Sequence, residues 1–98
     1  MTTYFITRHP GAVQWAARRG INAVMLPHLD PVQIGQGDIV MGTLPVHLAA
    51  GVCARGGRYL HLGLDLPPEA RGRDLTADDM DRFGATLEEF VVERAGGA

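Results

Sequence analysis

Apolar residues fall into short runs along the chain, and the spacing between these runs carries most of the fold. Residues 4–7 (YFIT) read as a buried strand. Pro10, followed at helical spacing by Val13, Ala16 and Ala17, predicts a helix that ends near Gly20. Residues 23–29 (AVMLPHL) predict a second strand, and Pro27 assigns it to a sheet edge because proline cannot donate to a ladder. Asp30 and Pro31 then open at most one helical turn before Gly35 and Gly37 break it. Residues 39–41 (IVM) are continuously apolar, as expected of a central parallel strand covered on both faces.

A second helix is expected over residues 44–55. Residues 59–66 (YLHLGLDL) alternate, with Leu60, Leu62, Leu64 and Leu66 on one face and Tyr59, His61, Gly63 and Asp65 on the other. That pattern predicts a half-exposed edge strand. After the loop at residues 67–75, Thr76 with Asp79 three positions on forms a capping-box variant. The stripe Met80, Phe83, Leu87, Phe90 and Val91 then predicts the clearest helix of the chain, assigned to core packing. The order is that of a small Rossmann-like α/β fold: a mostly parallel four-stranded sheet, order 2-1-3-4, flanked by helices. Residues 30–38 are short for a parallel crossover, so a tight single-turn crossover and an antiparallel pair both stay open.

Composition narrows the class. Ninety-eight residues make one domain, 1–98, with no apolar run near the ~18 residues that cross a bilayer. The start of the chain lacks a signal-peptide pattern and Cys53 has no partner for a disulfide, so a cytoplasmic protein is expected. A net charge of −2 argues against broad binding to double-stranded nucleic acid, so any anion must be held locally. All nine positive charges are arginines, whose planar forks suit phosphate, although a GC-rich genome gives the same composition. Four histidines and one cysteine without ligand-like spacing make a metal site an unfavoured reading, and no cofactor is expected. The phosphate-cradling GxxxxGK[ST] and GxGxxG patterns are absent.

In an open α/β sheet, ligands bind beyond the carboxyl ends of the strands where the winding reverses. With order 2-1-3-4 that place lies between the first and third strands. The segments there are Thr7, Arg8, His9, Pro10 and Gly11, and Gly42, Thr43, Leu44, Pro45 and Val46. Each offers a hydroxyl, backbone N–H groups and a helix N-terminus. Thr7 and Thr43 could equally be helix caps. Arg8 and His9 are harder to assign to structure, since neither packs in a core nor is needed for a cap. His47, one turn into the second helix, is a candidate base or a surface residue, whereas His28 and His61 read as strand residues. Arg71 and Arg73 should emerge on the same rim and could close over an anion, while Arg18, Arg19, Arg55 and Arg58 read as structural.

The segments TRHPGAVQWA (7–16), HLDP (28–31), GDIVMGTLPVHLAA (37–50) and RYLHLGLDLP (58–67) together resemble the Csx-sixteen family of type III CRISPR accessory proteins, over residues 3–92. The first motif of that family is often Ser-Arg-His, and Thr7 keeps the hydroxyl. The resemblance implies a fold related to the CARF domains that sense cyclic oligoadenylates, and ring-nuclease activity on cyclic tetra-adenylate. The expected catalytic residues are Arg8, His9 and His47. Expected substrate contacts are Thr7, Pro10, Gly11, Gly42, Thr43, Leu44, Pro45, Val46, Arg71 and Arg73. The size and symmetry of a four-nucleotide ring imply a two-fold homodimer. A binding module that only sequesters the messenger, and an interaction subunit of a defence complex, are the competing classes.

Overall fold

Strand β1 (Thr3–Ile6) is hydrogen-bonded on both sides, in parallel to β2 (Val24–Leu26) and to β3 (Ile39–Gly42). Beyond β3 lie β4 (Arg58–Gly63), again parallel, and β5 (Thr86–Phe90), antiparallel, so the sheet order is β2-β1-β3-β4-β5. Three helices accompany it: α1 (Pro10–Arg18), α2 (Val46–Ala54) and α3 (Ala77–Arg82). The structure, a computed structural model, describes residues 1–97. No helix among them is long and apolar enough to cross a membrane.

Each inner strand alternates between two cores. Phe5, Met41, Leu62 and Leu64 face α1 and α3, around Trp15, Ala16 and Met80. Val40 and Tyr59 face the other way, onto Ala49 and Val52 of α2 and onto Ile34. Helices on both faces explain why β1 and β3 lack a polar side. Helices α1 and α3 are locked together at their polar margin. The Trp15 indole N–H donates to Asp81 at 3.0 Å, and the Arg19 guanidinium lies over the same ring, 4.9 Å from its centre, while pairing with Asp81 at 3.1 Å. Arg18 pairs with Asp78 at 2.6 Å, and Arg58 binds Glu89 through two nitrogens at 2.7 and 3.0 Å. These arginines therefore serve the scaffold.

The strand order 2-1-3-4 is present, with a fifth strand added to it. Residues 30–38 form the tight parallel crossover, a single 3₁₀ turn at Pro31–Gln33 that passes over β1 and seats Ile34 in the core. The expected long last helix is corrected. Thr76 and Asp79 do make the reciprocal capping box, but α3 ends at Arg82 and Gly84 turns the chain at φ 71°. The rest of the stripe falls on β5 and just past it: Leu87 packs inward, while Phe90 at the strand's end and Val91 beyond it stay exposed. Strand β4 therefore is not an edge, and Tyr59 is 3% exposed instead of facing solvent, because α2 covers that face. An alternating run looks half-exposed whenever the polar members of one face are themselves buried under a helix.

Asp38 organises the start of the central strands. Its carboxylate accepts from the N–H groups of Gly35 at 2.9 Å and Thr2 at 2.8 Å, which hold it below the usual carboxylate range. A lowered folded value contributes stability above the ordinary carboxylate range, and this is lost as pH falls through the folded value. Asp38→Asn should therefore lower stability at neutral pH and flatten the acid limb below about pH 4. Urea unfolding between about pH 5 and about pH 2 reads this directly, and an unchanged acid limb would contradict it.

Gly11 marks a second tight contact. A Cβ there would overlap the Leu75 carbonyl, so glycine is what lets α1 meet the segment that leads into α3. Gly11→Ala should cost about 1–3 kcal/mol through overpacking. Thermal unfolding should show a midpoint lower by at least about 4 °C. A midpoint equal to the parent's would mean that this contact is loose.

Candidate functional site

The chain leaves β1 towards one face of the sheet and β3 towards the other, because α1 packs in the Phe5 core and α2 in the Val40 core. Between the diverging segments lies a cleft of about 770 Å³. Its walls are Thr7, Arg8 and His9 after β1, Pro27, His28 and Leu29 after β2, and Thr43, Leu44 and Pro45 after β3. Leu62, Leu64 and Leu66 form the floor with Leu48 and Met80, and Gly72, Arg73, Asp74 and Leu75 close the far side. The size lies within the usual range for small-ligand sites, and the lining is apolar below and charged at the rim.

Local chemistry shapes both walls. The Thr7 hydroxyl accepts from the His9 N–H at 3.1 Å, a turn that sets the chain direction into α1. His9 itself is the N-cap residue, extended at φ −100° and ψ 121°, and its side chain does not cap. On the other wall Pro45 occupies the N-cap of α2, and the Thr43 hydroxyl donates to the Leu62 carbonyl at 3.1 Å. Neither threonine is a helix cap. The Leu44 N–H donates to the Tyr59 hydroxyl at 3.0 Å, so it is engaged within the protein. Gly42 adopts φ 145°, and a Cβ there would stand 2.7 Å from the Ile6 carbonyl oxygen, so only glycine lets β1 and β3 approach at this point.

Of the residues proposed from sequence, the cleft brings together Thr7, Arg8, His9, Thr43, Leu44, Pro45 and Arg73. Pro10, Gly11, Gly42, Val46, His47 and Arg71 do not line it. Pro10 and Gly11 form the first turn of α1, with Gly11 buried against Leu75. Gly42 is buried at the end of β3, and Val46 and His47 are exposed at the start of α2. Arg71 is exposed in the loop before α3.

His28 is the residue that sequence reasoning passed over. Strand β2 ends at Leu26, so Pro27 and His28 leave the sheet at its carboxyl end and reach the cleft. The signal was Pro27 itself, which marks the end of the ladder as well as its edge.

Charge at the rim is unbalanced. Arg8, Arg73, His9 and His28 face a single carboxylate on the lining, Asp74. Among the described residues Arg8 takes part in no ion pair. Arg73 lies 3.9 Å from Asp79, whose carboxylate already receives the Thr76 N–H at 3.1 Å and Arg82 at 2.6 Å. Those contacts, the Thr76 N–H foremost, hold Asp79 below the usual carboxylate range. Helices α1 and α2 begin without a side-chain cap or an acidic residue in the first turn, whereas α3 has both. The two helix ends nearest the cleft thus keep their positive partial charge. Among the described residues no three of His, Cys, Asp and Glu converge as a metal would require.

The family model described as "Putative CRISPR-associated protein (Cas_VVA1548)" covers residues 4–93, a span that includes the sheet from Tyr4 of β1 to the end of β5 and every wall of the cleft. No curated protein and no solved structure matches the chain. With nearly its whole length covered by that model, the chain belongs to the Cas_VVA1548 family of CRISPR-associated proteins.

Proposed function

We propose that the protein is a ring nuclease that opens cyclic tetra-adenylate and so ends signalling by that messenger. One observation carries the reading: Arg8, without an ion-pair partner among the described residues, stands with His9 at the mouth of a cleft flanked by two uncapped helix N-termini. The substrate class is the one that the resemblance in the TRHPG and GTLPVH segments implies, and membership of a CRISPR-associated family supports it.

The reaction needs little beyond positioning. A ribose 2′-oxygen attacks its adjacent phosphorus, the bond from phosphorus to the 5′-oxygen breaks, and the products carry a 2′,3′-cyclic phosphate and a 5′-hydroxyl. The 2′-hydroxyl loses a proton and the departing 5′-oxygen gains one. The nucleophile is tethered to its target, so the protein's work is to align the ribose and to stabilise charge on the phosphoryl oxygens. Arg8 does the second. His9, on the cleft lining, is the residue for proton transfer, and His28 beside the same cleft is a further candidate. The apolar floor takes the body of a base while the rim takes its phosphate.

The cleft of one chain is small beside a ring of four nucleotides, so the reading includes a two-fold dimer that presents two clefts to one ligand. Light scattering at micromolar concentration should give twice the chain mass with ligand present. A monomer with and without ligand would remove the dimer.

Arg8 should matter more for the chemical step than for binding, because four phosphates make many ground-state contacts while developing charge depends on the nearest cation. Arg8→Ala should lower the single-turnover rate by at least ~100-fold, about 2.7 kcal/mol. Arg8→Lys should recover part of the loss, since it keeps charge without the planar fork. EDTA should leave the parent rate unchanged. Chromatography of the products separates the competing classes: intact ring bound to protein means sequestration, and no bound nucleotide means an interaction subunit. If Arg8→Ala cleaves within a few-fold of the parent, the placement of the active site at this cleft is wrong.

A further inference from the structure

Tyr59 is absent from the cleft, yet one wall of the cleft is built on its hydroxyl. The residue is 3% exposed, so water cannot satisfy the phenol and its partners must be protein groups. Three are present: the Leu44 N–H at 3.0 Å, the Gly42 carbonyl at 3.2 Å and His61 Nδ1 at 2.7 Å. The Gly42 carbonyl and the Leu44 amide flank Thr43, so the backbone of residues 42–44 closes around the phenol oxygen. Thr43 is held separately by its own hydroxyl, on the Leu62 carbonyl. Tyr59, His61 and Leu62 all belong to β4, which thereby grips the turn between β3 and α2 from beneath.

Proton accounting orders this network. The phenol has one hydrogen and two lone pairs. The Leu44 N–H fills one lone pair, and the Gly42 carbonyl can only accept. If the phenol hydrogen goes to Gly42, the second lone pair is open and His61 must donate to it, which requires the proton on Nδ1. If the hydrogen goes instead to His61 Nδ1, the shorter contact at 2.7 Å, the ring proton sits on Nε2 and the Gly42 carbonyl keeps its place in the ladder to β4. In both arrangements the phenol oxygen receives the Leu44 N–H, and the partner of the phenol hydrogen sets the His61 tautomer. Burial raises the Tyr59 pKa, which keeps the phenol protonated for this role. The His61 ring is further fixed edge-on between Tyr59 and Phe90, with centres 5.8 and 5.9 Å away.

We propose that Tyr59 is a positioning residue for the cleft: with the His61 ring behind it, its hydroxyl fixes residues 42–44 so that Thr43 and the start of α2 face the ligand. The inference deepens the proposed function, since it names what sets the second wall of the same site. Tyr59 touches no ligand and acts through the Leu44 amide and the Gly42 carbonyl.

Tyr59→Phe removes the hydroxyl and keeps the ring, and His61→Ala is the second variant should the first fold poorly. Three readings on the full chain decide the matter: hydrogen exchange at the Leu44 amide with Val40 as reference, the His61 tautomer from ¹⁵N spectra, and single-turnover cleavage of cyclic tetra-adenylate set beside its Kd. In Tyr59→Phe the Leu44 amide should exchange at least ~10-fold faster while Val40 stays within about 3-fold. The parent should show one His61 tautomer, and the variant should lose that preference. Cleavage should fall by about 10-fold or more with Kd changed less than about 3-fold, because the defect lies in alignment. His61→Ala should likewise speed Leu44 exchange. Unchanged Leu44 exchange, a His61 tautomer unaltered by Tyr59→Phe, or cleavage at the parent rate overturns the proposal. If the parent does not cleave the ring at all, the ring-nuclease reading is what falls, and the positioning claim is decided by exchange and tautomer alone.

Discussion

Everything that faces the cleft depends on how closely β1 and β3 approach at their carboxyl ends. Ile6 pairs with Gly42 in register, and Gly42 is the residue at which a side chain would strike the Ile6 carbonyl. At this pair the winding reverses. One helix leaves for the Phe5 core and the other for the Val40 core, and two uncapped N-termini are left on either side of a single opening. The apolar character of both strands is thus more than a packing requirement, because a strand with a polar face could not be covered on both sides and could not place helices in opposite layers.

The second constraint is that the walls are held from below and the rim is left free. Strand β4 contributes leucines to the floor and the Tyr59 hydroxyl to the turn above it. Gly11 and Leu75 hold the first turn of α1 against the segment before α3. Arg8, in contrast, has no ion-pair partner among the described residues, and the Arg73 contact with Asp79 is long. Some arginines elsewhere are taken up, as Arg18 and Arg19 tie α1 to α3 and Arg58 ties β4 to β5, while Arg55, Arg71 and Arg94 make no ion pair among the described residues. What sets the cleft apart is that Arg8 stands beside His9 between two helices that begin without a cap.

Much of this was legible in the sequence because the signals were local. Continuous apolar runs marked β1 and β3, Pro10 marked the start of α1, and the Thr76 and Asp79 pair marked the start of α3. From the strand order, the reversal point followed. The end of α3 was harder, since Met80, Phe83 and Leu87 fit a helical stripe that only the turn at Gly84 interrupts. What converts Thr86–Phe90 into a strand is the open edge of β4, a tertiary demand with no local trace. Tyr59 was misplaced for a similar reason: alternation tells which residues share a face, and α2 decides whether that face is wet. His28 was lost because the ladder stops one residue before Pro27.

The central claim is that the cleft between the ends of β1 and β3 is where this protein meets its ligand. The most direct measurement is the change in backbone amide spectra of the ¹⁵N-labelled protein on titration with cyclic tetra-adenylate in EDTA, using Arg8→Ala to slow turnover. The account predicts that the largest shifts fall on residues 7–9, 28–29, 43–44 and 72–75, with β2 itself and the outer edge of β5 little changed. Shifts centred instead on the groove between Trp15 and Leu87, or no shifts at all, would contradict it.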